Sequence, residues 1–234
     1  MHPRILIASL RIVTLILLIT GFAAPIYAAD STDKSDAKGT LVYENAFDEK
    51  LGDWVMTDKT AWKRLDEDGN GVLALVGASD YEPEVRSPHN IARVKDLEVG
   101  DFTIEVRAKQ TGREYDHRDL CIFFGYEDPS HFYYVHIASI ADPNANSIFI
   151  VNGAPRISIA TERTDGTKWT AGYHAIRITR DTKTGSIAVY FDDMEKPIMK
   201  AEDMTFLKGG VGFGSFDDTG NFDDVKIWTK QLSK

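Results

Sequence analysis

From Thr40 onward, hydrophobic and polar residues alternate in short runs separated by turn chemistry. The runs recur roughly every 8–15 residues, the spacing of an all-β sandwich or barrel. This pattern predicts strands near 41–47, 61–65, 72–76, 84–87, 102–109, 119–126, 131–138, 147–151, 156–160, 174–180, 186–191, 211–216 and 222–229. Asp68-Gly69-Asn70-Gly71, Glu127-Asp128-Pro129-Ser130, Asp142-Pro143-Asn144, Thr164-Asp165-Gly166 and Thr184-Gly185 mark turns between them. No apolar run after residue 28 has helical periodicity. About thirteen short strands in one domain predict two antiparallel sheets packed face to face as a jelly-roll sandwich.

The last two runs carry the most detail. Residues 211–216 alternate large residues with Gly212 and Gly214. Glycine inside a strand marks close approach of another backbone or a ligand. In 222–229, Val225 and Ile227 share one face and Asp224, Lys226 and Trp228 the other, the signature of a half-buried closing strand.

Residues 115–138 form the densest polar and aromatic stretch and read as a hairpin. With Glu127–Ser130 as its loop, Tyr126 faces His131 and Cys121 faces His136. One face then carries Leu120, Ile122, Phe124, Tyr126, His131, Tyr133, Val135 and Ile137, and makes the better core. The other carries Asp119, Cys121, Phe123, Gly125, Phe132, Tyr134, His136 and Ala138. A register slip of one residue would undo this grouping.

The first 28 residues read as a cleaved leader. Arg4 and Arg11 precede an apolar stretch from Ile12 to Ile19 that is too short to span a bilayer, and Pro25-Ile26-Tyr27-Ala28 offers a cleavage site. The expected product is a secreted or periplasmic protein with no membrane attachment, and mass spectrometry of exported material should show Ala29 as its first residue. Residues 29–39 are small, polar and charged and read as a disordered linker, leaving 40–234 as one sandwich domain. The chain carries a net charge of −9, and loss of the two leader arginines makes it more negative. That balance disfavours nucleic acid, whose binding needs clustered Lys and Arg. Cys121 is the only cysteine, so no intramolecular disulfide can form and the core must supply the stability.

Several segments resemble the concanavalin A-like superfamily of laminin G-like domains, lectins, carbohydrate-binding modules and family 16 glucanases. They are Asn45-Ala46-Phe47-Asp48 followed by Gly52-Asp53-Trp54, Trp62 with Asp68-Gly69, Gly100–Val106, Trp169 with His174, Ile176 and Ile178, and the closing 209–229. The opening also resembles secreted proteins of the 3-keto-disaccharide hydrolase type. The resemblance implies a jelly roll, and that fold hosts both binders and enzymes. It further implies a structural Ca²⁺ where the first strand meets the last, with Asp224 and Asp48 as the matching ligands; hard oxygen donors are what that ion requires.

Alternation on neighbouring strands leaves Glu84 and Arg86 outward, and likewise Glu105 and Arg107. If these strands share a sheet, one concave face gathers Glu84, Arg86, Glu105, Arg107, Asp119, Tyr134 and His136. Carboxylates and guanidinium groups bridge sugar hydroxyls, and rings stack on apolar sugar faces. The competing reading is a salt-bridge ladder on a solvated sheet. Glu114-Tyr115-Asp116-His117-Arg118-Asp119 has a glucanase-like E-x-D-x-x-D spacing, but alternation puts Glu114 and Asp119 on opposite strand faces. Cys121, His136 and Asp119 are the residue types of a nucleophile, base and orienter, although a lone strand cysteine is more often a small packed residue. Asp66–Gly71 opens like an EF-hand loop, but Gly77 stands where a bidentate Glu is needed, so a hairpin turn is the reading. The expectation is a secreted carbohydrate-binding sandwich, with a glycoside hydrolase or polysaccharide lyase on the same face, or an adhesive laminin G-like module, as alternatives.

Overall fold

The structure, a computed structural model, describes residues 38–52 and 54–230. The leader, its cleavage site and most of the 29–39 linker lie outside the described residues. The strands are β1 (Thr40–Asn45), β2 (Trp54–Met56), β3 (Trp62–Glu67), β4 (Asn70–Leu75), β5 (Asn90–Val99), β6 (Phe102–Gln110), β7 (Asp119–Asp128), β8 (His131–Ala138), β9 (Ser147–Asn152), β10 (Ile157–Ser158), β11 (Ala160–Arg163), β12 (His174–Asp181), β13 (Ser186–Phe191), β14 (Met199–Glu202), β15 (Gly209–Ser215) and β16 (Gly220–Thr229). They form two antiparallel sheets. One has nine strands in the order β11-β14-β13-β12-β6-β16-β4-β3, with β1 also paired to β16. The other has seven, β10-β9-β8-β7-β15-β5-β2. Among the described residues no helix is long and apolar enough to cross a membrane.

The inner faces are the alternating apolar sets. Leu120, Ile122 and Phe124 of β7, Tyr133, Val135 and Ile137 of β8, and Phe213 of β15 join one core with Leu73, Ile104, Val106, Ile176, Ile178, Val225 and Ile227 of the other sheet. Each fully buried side chain of this size contributes about 1.5–3 kcal/mol. Cys121 is free and buried, so this core carries the stability without a cross-link. Phe222 and Val225 both face inward although three residues apart. A bulge at Asp223–Asp224, with Asp224 at φ +49°, resets the alternation between them.

The β7–β8 register matches the expected one from Asp119↔Ala138 to Phe124↔Tyr133 and then shifts, so that Asp128 faces His131. Gly125, at φ +57°, sits in that bulge. Tyr126 is thereby carried to the outer face, where it stacks on Phe132 with ring centroids 5.2 Å apart. The expected inward Tyr126 is corrected by this bulge.

The outer face of the seven-stranded sheet is a second apolar layer, not the solvated face that alternation suggests. Ile91, Cys121, Phe123, Tyr126, Phe132, Tyr134, Phe149 and Val151 are all buried there, with Val85 packed against them. Val85 belongs to residues 77–89, where alternation predicts a strand at 84–87. These residues form no strand. Pro83 and Pro88 flank the run and lack the N–H a ladder needs. The segment is tied down instead by bonds from Arg156 N–H to the Arg86 carbonyl (3.1 Å) and from His89 N–H to the Phe216 carbonyl (3.2 Å).

Candidate functional site

The structure divides the seven residues expected on one concave face. β6 lies in the nine-stranded sheet, while β7 and β8 lie in the other. Glu105 and Arg107 therefore face outward on the opposite side of the sandwich from Asp119, Tyr134 and His136. Alternation sorts inward from outward on each strand, but it carries no information about which sheet a strand joins.

Glu105 and Arg107 belong to a charged ladder. Glu105 accepts from Lys38 (2.6 Å) and Arg177 (2.7 Å). Burial raises its pKa, but those two cations outweigh burial and leave it below the usual range. Arg107 lies 3.3 Å from Asp224 and 3.8 Å from the buried Asp223. Lys109 reaches Glu67 at 2.6 Å. Here the salt-bridge ladder describes the structure. Asp224, one of the two expected calcium ligands, is thus held by Arg107, and Asp48 accepts a hydrogen bond from Gly71 N–H at 3.1 Å. Glu84 is exposed on the 77–89 segment, and Glu114 is exposed beside Arg118 at 3.8 Å.

Asp119, His136 and Arg86 do meet, in a cavity of about 230 Å³ at one end of the seven-stranded sheet. Tyr115, His117, Asn144, Arg156, Phe216 and Asp217 line it with them. Tyr134 reaches the site through its hydroxyl, which accepts from the Arg156 guanidinium. Arg156 also donates to the Asn144 carbonyl (2.8 Å) and lies 4.6 Å and 4.5 Å from the ring centres of Phe149 and Phe216. It is a clamp between loops as well as a cavity wall.

Asp119 is fully buried. Its Oδ2 accepts from Phe216 N–H (2.9 Å) and from the Cys121 thiol (3.0 Å). Among the described residues its Oδ1 has no hydrogen-bond partner. Burial, followed by the nearby Asp218 and Asp217 carboxylates, pushes its pKa up to about 7, against the pull of the thiol and the Phe216 amide. Burial and the field of Arg156 push His136 down to about 3, so it is neutral at physiological pH. Asn146 N–H donates to its Nδ1 at 3.4 Å, which assigns the ring proton to Nε2. That Nε2 lies 3.6 Å from Asp119 Oδ1, a contact between a neutral ring and a carboxyl group rather than an ion pair. Cys121 is equally buried, and burial beside Asp119 pushes its thiol pKa well up. A thiol held protonated is the reverse of an activated nucleophile.

Sequence reasoning misses Tyr115, Arg156, Phe216, Asp217 and Asp218 as site residues. Asp218 Oδ2 accepts from Tyr115 O–H (2.6 Å) and Asp119 N–H (2.9 Å), which fastens the β15–β16 turn to the start of β7. The Asp-Gly density of 217–220 is visible in the sequence, but its approach to residue 119 depends on β15 lying beside β7.

No protein-family model matches this chain, and no curated protein sequence matches it. Solved structures do share its fold. Carbohydrate-binding module CBM66 from Bacillus subtilis aligns at TM-score 0.53 and 15% identity, over 76% of this chain and 96% of the module. A protein of unknown function with a galectin-like fold, also from Bacillus subtilis, aligns at TM-score 0.56 and 15% identity, over 82% and 97% of the two chains. Domain 4 of AbnA, an extracellular GH43 arabinanase from Geobacillus stearothermophilus solved in complex with arabinotriose, aligns at TM-score 0.53 and 12% identity, over 84% and 95%. At these identities the likeness is one of fold. The chain has the fold of a two-sheet antiparallel β-sandwich.

Proposed function

We propose that this chain is an exported carbohydrate-binding protein that takes a single sugar unit, or the end of a glycan chain, into the cavity around Asp119. The observation that carries this reading is the cavity itself. Its lining brings together the buried Asp119 carboxyl and His136 imidazole, the rings of Tyr115 and Phe216, and the exposed Arg86 and Asp217. Hydroxyl groups both donate and accept, which matches this mixed set, and the rings offer apolar faces for C–H contact. About 230 Å³ is small beside the roughly 300–1,000 Å³ of pockets for drug-sized ligands, so the space suits one ring rather than a chain segment. Two of the fold relatives described above, a carbohydrate-binding module and an arabinotriose-bound domain, use the same architecture in sugar recognition.

A glycan array read with wild type, Arg86→Ala and Asp119→Asn tests the proposal. Losing a charged hydrogen bond costs about 1.5–3 kcal/mol, so each variant should bind the retained glycan about ten- to a hundredfold more weakly. Arg107→Ala, on the other sheet, should bind as wild type does. Retention of no glycan, or equal losses in Arg107→Ala and Arg86→Ala, would sink the reading. Glycoside cleavage is the second reading, favoured by one observation: a carboxyl group that titrates near neutrality beside other carboxylates. Release of reducing ends from the same glycans, abolished in Asp119→Asn with affinity kept within a few-fold, would establish it.

A further inference from the structure

We propose that Asp119, Asp217 and Asp218 form a binding site for a divalent cation, calcium by preference. One ligand oxygen from each residue lies within 4.8 Å of the other two. Acidic clusters are common without an ion, and what distinguishes this one is the unmet demand inside it. Asp119 is wholly buried, its Oδ1 has no hydrogen-bond partner among the described residues, and His136 Nε2 stands beyond bonding distance from it at 3.6 Å. A buried carboxylate oxygen left without a donor is costly, and a coordinated cation removes that cost.

The other two carboxylates are disposed as ligands. Asp218 is positioned through Oδ2 by Tyr115 O–H and Asp119 N–H, which leaves its Oδ1 for coordination. Asp217 is exposed at the cavity mouth and accepts no hydrogen bond from the described residues, so it can close over an ion that enters from solvent. Arg156 donates to Tyr134 and Asn144, and neither it nor Arg86 forms an ion pair with the three carboxylates among the described residues. The donor set is all oxygen, and the Cys121 thiol is occupied as a donor to Asp119. That chemistry selects a hard cation over zinc or copper. Carboxylates from one turn and one strand, with open cavity beside them for water, suit the irregular and larger shell of calcium better than the strict octahedron of magnesium.

The test needs no glycan and so stands apart from the sugar reading. Purified chain, stripped with chelator and dialysed, is titrated with Tb³⁺ while luminescence is excited through tyrosine, and Ca²⁺ is then added as competitor. Tyr115 touches Asp218, so bound Tb³⁺ should be sensitised and Ca²⁺ should quench the signal. Asp217→Asn, an exposed substitution, should weaken calcium at least tenfold by calorimetry while its melting temperature in chelator matches wild type. Asp119→Asn should weaken it likewise, and Asp224→Asn should not. Absence of binding at millimolar calcium would overturn the proposal. So would a loss in Asp224→Asn as large as in Asp217→Asn, because that result places the ion on the Arg107 side of the sandwich.

Discussion

Gly214→Ala should destabilise the fold by about 3 kcal/mol or more, lowering the melting temperature by about 6–12 °C for a domain of this size. A Cβ at Gly214 would lie 1.8 Å from the Asn90 carbonyl oxygen, 2.8 Å from its carbon and 3.2 Å from the Phe123 ring. Two of the three obstacles are backbone atoms, and they cannot step aside. Ser215 pairs with Asn90 and Gly214 with Ile91, so moving residue 90 pulls apart the β15–β5 ladder at its end. Asn90 is itself buried at 1% exposure, so its displacement also disturbs the packing around it. Gly77→Ala is the matched control. Nothing lies within 4 Å of its Cβ position, and its change should stay within about 0.5 kcal/mol. Denaturant melts that place the two variants together would show that the two backbones do not approach as closely as described.

That close approach is legible in the sequence itself, since Gly212 and Gly214 alternate with large residues in a strand-like run. So are the two-sheet architecture, the β7–β8 pairing and the inward placing of Leu120, Ile122, Val225 and Ile227. All of these rest on period-two alternation and turn chemistry, which are local properties of the chain. β5 is hidden from that pattern because its alternation of Ala92 and Val94 with Arg93 and Lys95 is short and is broken at a bulge, where Asp96 adopts φ +56°. β2 and β14, at three and four residues, are too short to show a period.

The site is half legible for a different reason. Asp119 and His136 fall together because they share a hairpin, and Arg86 joins them although its expected strand is a loop. Alternation misplaces Glu105 and Arg107 because sheet membership is a long-range property. The path β6-β16-β4 puts residues 105 and 223–226 side by side, and no local pattern announces that pairing. Asp217 and Asp218 stand in the most informative segment of the sequence, yet their role follows only from β15 lying against β7. Arg156 reaches the cavity from the β9–β10 turn through contacts that no spacing rule describes.

Phe123→Ala should cost about 3–5 kcal/mol, the loss expected of a fully enclosed phenylalanine. Simple alternation puts Phe123 on the solvated face of β7, where truncation would change stability by only about 0.5 kcal/mol. In the structure it is wholly buried on the outer face of the seven-stranded sheet. Its ring centre lies 5.8 Å from that of Tyr134 in a stacked pair and 5.9 Å from that of Phe132 edge-on. Beyond it, Tyr134 stacks on Phe149 at 5.2 Å, and Arg156 caps Phe149. The layer is therefore a second core, built of aromatic rings and roofed in part by Val85. It also underlies the cavity, because Asp119, Cys121 and Phe123 are successive outward residues of β7 and Tyr134 holds Arg156. Leu65→Ala, at a side chain 38% exposed, supplies the contrast and should lose less than about 1 kcal/mol. Urea melts in which Phe123→Ala is no less stable than Leu65→Ala would mean that this face is open to solvent. The cavity would then lose its floor, and a ligand would meet a flat aromatic sheet in place of an enclosed carboxyl group.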